Sequence, residues 1–257
     1  MPPDAGESGD GQRLRARLHA LVHVCENGGG CGMRKVPKAV LCTSGLAAEA
    51  KIARSAGFSV VVGAGDRERT QSLVESAAPQ ASCLVSFGIA GALAPQLRPG
   101  DVIVSAEVVA ADHRWRGGED FCRRVAALAR ALGAVEGPVL GARAILPGAR
   151  EKRRAWQQTG ALAVDLESDI VARAAARAGI PFVVVRAIAD ALERELPPAA
   201  LIPLSQKGRP KLKSVFASVV RSPRQIAPLI GLACETRRAL AALAEPALAL
   251  HGLVAGP

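Results

Sequence analysis

Aromatic side chains are nearly missing from this 257-residue chain: they make up 3% of it, with two Trp, five Phe and no Tyr. That scarcity argues against a surface that stacks nucleobases on rows of aromatics, and it leaves Ala, Val, Leu and Ile to build the core. Paired cysteine spacings are also lacking, since Cys25, Cys31, Cys42, Cys83, Cys122 and Cys234 are scattered. A disulfide framework is therefore not expected, and a reducing, cytoplasmic compartment is. The chain does not open on a signal peptide, and no uninterrupted apolar run reaches about 18 residues, so no membrane-spanning helix is expected. His19 and His23 stand four apart near Cys25 and Cys31 but match no zinc-finger spacing, and no metal is expected.

What is present begins with charge. Against 23 acidic residues stand 33 basic ones, a formal net charge of +10. Half of the excess falls after Asp190, where Lys207, Arg209, Lys211, Lys213, Arg221 and Arg224 follow one another with no acid between them. Such a run suits phosphates, an anionic membrane surface or plain solvent.

Residues 1–35 are rich in Gly and polar side chains around one short basic helix, and they read as a flexible extension. Met33 directly precedes the first convincing strand and reads as an alternative translation start. Residues 36–257 form one domain, with a helical C-terminal part at about 196–246. Short apolar runs predict strands at Ala39 to Ser44, Ser59 to Gly63, Cys83 to Phe87, Asp101 to Val109, Val139 to Ile145, Ala161 to Leu166 and Phe182 to Ile188. Ala-rich segments such as Arg67 to Ala78, Glu119 to Leu132 and Ile170 to Ala178 have helical spacing. The alternation implies a three-layer α/β/α fold with a largely parallel mixed sheet. Beyond Asp190 come extra helices. Leu212, Val215, Phe216, Val219 and Val220 make one apolar stripe, and Ile226 to Leu243 a second, both expected to dock on the core.

In a parallel sheet, ligands gather beyond the carboxyl ends of strands, so polar residues that follow apolar runs carry the functional information. Three acids stand there: Glu49 after Leu41 to Leu46, Glu167 in Ala-Val-Asp-Leu-Glu-Ser, and Asp190 at the end of Val-Val-Val-Arg-Ala-Ile-Ala-Asp.

These segments also carry a resemblance. Gly45-Leu46-Ala47-Ala48-Glu49 resembles the first-strand motif of the methylthioadenosine/S-adenosylhomocysteine nucleosidases. Phe87-Gly88-Ile89-Ala90-Gly91 with Pro99 to Ser105, then Ala163 to Ser168 and Ile180 to Asp190, resemble the glycine loop and remaining signatures of the nucleoside phosphorylase superfamily. The segment Thr43 to Arg54, the loop Ser86 to Gly91 and the tail Leu196 to Leu201 are most similar to the hopanoid-biosynthesis-associated phosphorylase branch, whose members remove adenine from adenosylhopane to leave ribosylhopane.

The resemblance implies a phosphorylase/hydrolase-like fold and an enzyme that cleaves the N-glycosidic bond of an adenine nucleoside with an apolar 5′ substituent. It implies Asp190 as the general acid for purine N7 and Glu49 as the base that activates water. Glu167 would bind the ribose hydroxyls, Leu166 would floor the sugar, and Phe87, Gly88 and Ile89 would line the substrate loop. Arg186 is read as structural, since its charge beside Asp190 would oppose an acid.

No cofactor is expected, with phosphate the alternative co-substrate. Phosphate-using relatives carry a serine where this chain has Ile89 and an arginine where it has Ser86. A carboxylate at Glu49 repels a phosphate dianion and suits water. Hydrolysis is favoured on those grounds. The expected partners are the nucleoside, a further copy of the chain as a homo-oligomer, and a peripheral contact with the inner face of the membrane, but no nucleic acid. The competing readings are a methylthioadenosine/S-adenosylhomocysteine nucleosidase and a non-catalytic nucleic-acid-binding protein. Asp112 and His113 either border the pocket or form a solvated loop.

Overall fold

A computed structural model describes residues 39–254, all within the compact unit Pro37–Pro257. The expected extension over residues 1–35, the grouping of His19, His23, Cys25 and Cys31, and the alternative start at Met33 lie outside the described residues.

The strands are β1 (Ala39–Ser44), β2 (Ser59–Val62), β3 (Ala81–Ala92), β4 (Val102–Ser105), β5 (Glu107–Val109), β6 (Arg114–Arg116), β7 (Val139–Gly141), β8 (Ala163–Asp165) and β9 (Phe182–Asp190). The helices are α1 (Ala47–Ser55), α2 (Arg67–Ala77), α3 (Glu119–Ala131), α4 (Ala149–Thr159), α5 (Ser168–Ala178), α6 (Leu212–Arg221), α7 (Ile226–Ala242) and α8 (Ala244–Val254).

One mixed sheet takes in all nine strands. The pairs β1/β2, β1/β3, β3/β9, β5/β7 and β7/β8 are parallel, whereas β3/β8, β4/β9 and β5/β6 are antiparallel. The sheet is thus largely parallel, as the alternation predicts. Strand β3 is its pivot: Ala81 to Ser86 pair with β1, and Gly91 and Ala92 pair with β8. Along the opposite edge β9 runs from Leu84 to Gly91, with a register shift between Ala90 and Gly91 that sets Gly91 opposite Asp190.

Alternation along β9 sorts its side chains into two cores. Phe182, Val184 and Ile188 pack with Val74 of α2 and Ile170, Val171 and Ala174 of α5. Val183, Val185, Ala187 and Ala189 pack with Ala53 of α1, Val125 of α3, Ala239 of α7 and Leu250 of α8. Helices therefore cover both faces, and every residue of β9 is buried. Burial on both sides explains why this strand reads as an almost continuous apolar run.

The structure departs from expectation in several places. The run Asp101 to Val109 breaks into β4 and β5 because the Ser105 hydroxyl accepts from Glu107 N (2.9 Å) and donates to Glu107 O (3.0 Å). That local turn sends β4 to β9 and β5 to β7. The helical end continues past 246 to Val254. Helix α7 docks through Ala239, but α6 has no buried residue at all. Its stripe does not dock on the core as expected: Val215 and Val219 are half-buried, whereas Leu212, Phe216 and Val220 are 76%, 70% and 61% exposed.

Candidate active site

A cavity of about 470 Å³ opens at the carboxyl ends of β1, β8 and β9, and Glu49, Glu167 and Asp190 all line it. The three acids, spread from position 49 to position 190, are gathered because each ends, or follows within five residues, a strand that pairs with β3.

Glu49 lies in the first turn of α1 and is 2% exposed. Its Oε2 accepts from Gly45 N (3.0 Å) and Leu46 N (2.7 Å), the reach-back that a third-position Glu makes at a helix start. Its Oε1 accepts from Ile89 N (2.9 Å), which ties α1 to the glycine loop of β3. Burial raises its pKa, while Arg186 and the three backbone donors pull it down. Gly88 makes the approach possible, because a Cβ there would lie 2.5 Å from the Glu49 carboxyl and 2.8 Å from Arg186 Nη1. Gly45 has the same role on the other side, where a Cβ would sit 2.8 Å from Glu167 Oε1.

Glu167 follows β8 at the position that caps α5. The capping itself is done by Asp165, whose Oδ1 accepts from Glu167 N (3.0 Å) and Ser168 N (2.8 Å). Arg186, 1% exposed, gathers this end of the cavity. Its Nη2 donates to Ser86 Oγ (2.6 Å) and Glu167 Oε2 (3.3 Å), and its Nε lies 2.7 Å from Asp165 Oδ2, a charge contact rather than an aligned hydrogen bond. Burial disfavours the guanidinium charge, but Asp165, Glu167 and Glu49 outweigh it and keep the group protonated. For Glu167 the balance runs the other way. Burial, opposed by Arg186 and reinforced by Asp165 and Glu49, pushes its pKa up to about 7.

Asp190, at the end of β9, faces a different cation. Lys152 of α4 is 1% exposed and donates through Nζ to Asp190 Oδ2, Ala191 O (3.0 Å) and Arg194 O (3.1 Å), so all three of its protons are placed. Burial raises the pKa of Asp190 and Lys152 opposes it. Arg186 also lines the cavity, yet its partners are Asp165 and Glu167. The cation beside the expected acid is therefore Lys152, and Arg186 pairs with Asp165 and Glu167 instead.

The remaining expected site residues divide. Leu166 and Ile89 line the cavity. Gly88 lies against Glu49 and Arg186 as described. Phe87 does not reach the site: it is fully buried in the core beneath α1, α3 and α7, because odd positions of β3 point to that face while Ser86 points to the other. Asp112 and His113 line a separate depression that shares Arg143 with the cavity rim. Sequence reasoning missed Lys152 and left Asp165 without a role. Asp165 had a signal, standing two residues before Glu167 at a strand end. Lys152 had none, since Ala-Arg-Glu-Lys-Arg-Arg reads as a solvated helix and Lys152 is the one buried residue of α4. Among the described residues no cluster of His, Cys, Asp and Glu could hold a metal ion.

The sequence from residue 31 to 221 matches the family model described as the phosphorylase superfamily. No curated protein sequence matches. Among solved structures, the 5′-methylthioadenosine/S-adenosylhomocysteine nucleosidase of Neisseria meningitidis, in complex with methylthio-immucillin-A, aligns with a TM-score of 0.61 at 15% identity over 83% of this chain and 98% of that one. A Helicobacter pylori 5′-methylthioadenosine/S-adenosylhomocysteine nucleosidase aligns at 0.55 and 14% identity over 82% and 98%, bound to butyl-thio-DADMe-immucillin-A. The futalosine hydrolase of the same organism aligns at 0.54 and 17% over 72% and 98%. At these identities the likeness is one of fold.

Proposed function

The chain is an enzyme of the phosphorylase superfamily, and from that premise we propose that it hydrolyses the N-glycosidic bond of an adenine nucleoside whose 5′ substituent is apolar, with adenosylhopane giving ribosylhopane and adenine as the substrate. The observation that carries this reading is the gathering of Glu49, Glu167 and Asp190 in one cavity, with Glu49 and Glu167 around Arg186 and Asp190 apart beside Lys152.

Breaking a ribose–purine bond leaves positive charge on the sugar and negative charge on the base. Asp190, ionised against Lys152 in the free enzyme, takes up a solvent proton as the bound nucleoside deepens its burial and passes it to purine N7, a task to which its burial-raised pKa is suited. Glu167 accepts from the ribose hydroxyls and, as an anion, stabilises the oxocarbenium-like transition state. Glu49 takes a proton from water. Its three backbone bonds leave one lone-pair site of the carboxylate for that water. None of these steps calls for a cofactor.

Water is favoured over phosphate on a structural ground as well as on sequence. The backbone N–H groups of Gly45, Leu46 and Ile89 that would cradle an anion already donate to Glu49, and Arg186 is matched by Asp165 and Glu167. A phosphate dianion would meet carboxylates where it needs donors. The apolar tail finds Leu196, Leu201 and Leu204 at the rim. A cavity of about 470 Å³ holds a nucleoside but not a fused-ring hydrocarbon as well, so the tail would lie across that rim. The second reading, a 5′-thioadenosine nucleosidase, draws on the thio-substituted ligands of the nucleosidases that share the fold. Free adenine is measured from adenosylhopane and from methylthioadenosine, each with and without phosphate. The expected result is release from adenosylhopane at a rate indifferent to phosphate. Strict phosphate dependence overturns hydrolysis, and turnover of methylthioadenosine alone selects the second reading.

The pKa of Glu167 gives a pH dependence. Because Glu167 acts as an anion, kcat/KM for adenine release should rise along a limb near pH 7 as it ionises. Asp165 raises that pKa, so Asp165→Asn should move the limb to lower pH, while the Asn oxygen still accepts from Glu167 N and Ser168 N. A pH–rate profile of both proteins checks this, and a limb that stays in place would assign the ionisation to another group.

A further inference from the structure

Between Leu196 and Cys234 the chain contains no acid, and this stretch forms both the rim of the cavity and the two elements beside it. Lys207, Arg209, Lys211, Lys213, Arg221 and Arg224 are all exposed, and none pairs with an acid among the described residues. On α6, Leu212, Phe216 and Val220 follow at intervals of four on one face. At the start of α7, Ile226 and Ile230 repeat the interval and are 46% and 61% exposed. Five large apolar side chains in solvent, set among six cations, is an arrangement a water-facing surface does not maintain without use.

The patch is fixed to the rim. Gln225, buried in the turn between α6 and α7, donates through Nε2 to Ser218 O (2.8 Å) of α6 and accepts through Oε1 from Ala199 N (3.0 Å). Ala199 belongs to the turn Pro198–Leu201, whose Leu201 lines the cavity and is 38% exposed. Whatever seats α6 also sets the orientation of the cavity mouth.

We propose that this face docks on an anionic lipid bilayer, with Leu212, Phe216 and Val220 entering the headgroup region and the surrounding lysines and arginines meeting lipid phosphates. Charge complementarity selects the occupant. A second copy would place like charges of +6 against each other, and a nucleic acid has no use for the aliphatic side chains, with Phe216 the one aromatic on the face. Among the described residues no helix is long and apolar enough to cross a membrane, so the contact is peripheral. The inference does not depend on the reaction catalysed.

Co-sedimentation with vesicles tests it. The full chain should bind vesicles of phosphatidylglycerol and phosphatidylcholine at low salt, bind pure phosphatidylcholine vesicles weakly, and be released as salt rises. Phe216→Glu and Lys211→Glu/Lys213→Glu alter only exposed side chains, and each should weaken vesicle binding roughly tenfold or more with an unchanged circular dichroism spectrum. No binding to anionic vesicles at low salt overturns the proposal, as does full binding by Phe216→Glu. Two further results would reassign the face and equally overturn it: an oligomer that Phe216→Glu dissociates, without vesicle binding, or binding of a single-stranded oligonucleotide with none to vesicles.

Discussion

Asp190→Asn should lower kcat for adenine release by roughly 10²- to 10⁴-fold, the range that a positioned general acid contributes. Asn has the size of Asp and still accepts a hydrogen bond from Lys152, so the cavity keeps its shape, but it has no proton to give N7. The substitution also removes the anion from a buried ion pair. Lys152 stays 1% exposed with its charge and retains only Ala191 O and Arg194 O as full partners. Removing one member of a buried pair costs about 3–5 kcal/mol, because the other is left uncompensated. Asp190→Asn should therefore be both slow and less stable. The double variant Lys152→Met/Asp190→Asn separates the two effects, since an apolar side chain of similar length needs no counterion. It should regain most of the lost Tm and none of the lost rate. Thermal melts beside single-turnover kinetics make the measurement. A fully active Asp190→Asn would remove Asp190 from the chemistry, and a double variant with restored activity would reduce its role to that of Lys152's partner.

Lys152 marks the place where the sequence is silent. The acids could be read because a strand buried on both faces is a run of apolar residues, and the polar residue that ends it is conspicuous: Asp190 ends nine buried positions and Glu167 follows three. The helices α2, α3 and α7 were legible by the same logic, each having an apolar period and a clear end. Helix α4 was not, because its sole buried side chain is a lysine among arginines, and only the partner at Asp190 makes that burial tolerable. Strand β6, Arg-Trp-Arg, is held by its antiparallel pairing with β5 and has no apolar run to announce it. The glycine loop gave a mixed reading for reasons of parity and of position along β3. Ser86, Gly88 and Ile89 N meet the Arg186–Glu49 cluster, but the most conspicuous residue of the motif, Phe87, faces away from Ser86 and lies two residues short of Ile89, which shares its face and reaches the cavity. A motif fixes which segment comes to a site. The register of its strand decides which members face it.

Glu49 is the residue whose replacement separates water from phosphate. Glu49→Gln should slow hydrolysis by roughly 10²- to 10⁴-fold through loss of the base, and it should also disturb the loop. An amide has one oxygen, so its NH2 must face either Ile89 N–H or the Gly45 and Leu46 N–H pair, donor against donor. Stability should fall by about 1–3 kcal/mol for the backbone donors left without an acceptor. Glu49→Ala carries the argument further. It vacates the place of a carboxylate while leaving three backbone N–H groups aimed at it, which is an anion site in all but occupant. Phosphate should then bind and stabilise Glu49→Ala, raising its Tm with concentration, and leave the wild-type Tm unchanged. If phosphate stabilised both equally, the carboxylate would not be what keeps phosphate out, and the electrostatic case for water would fall with it. If Glu49→Gln retained the wild-type rate, its three hydrogen bonds would be the whole of its role and the base would have to be sought elsewhere in the cavity.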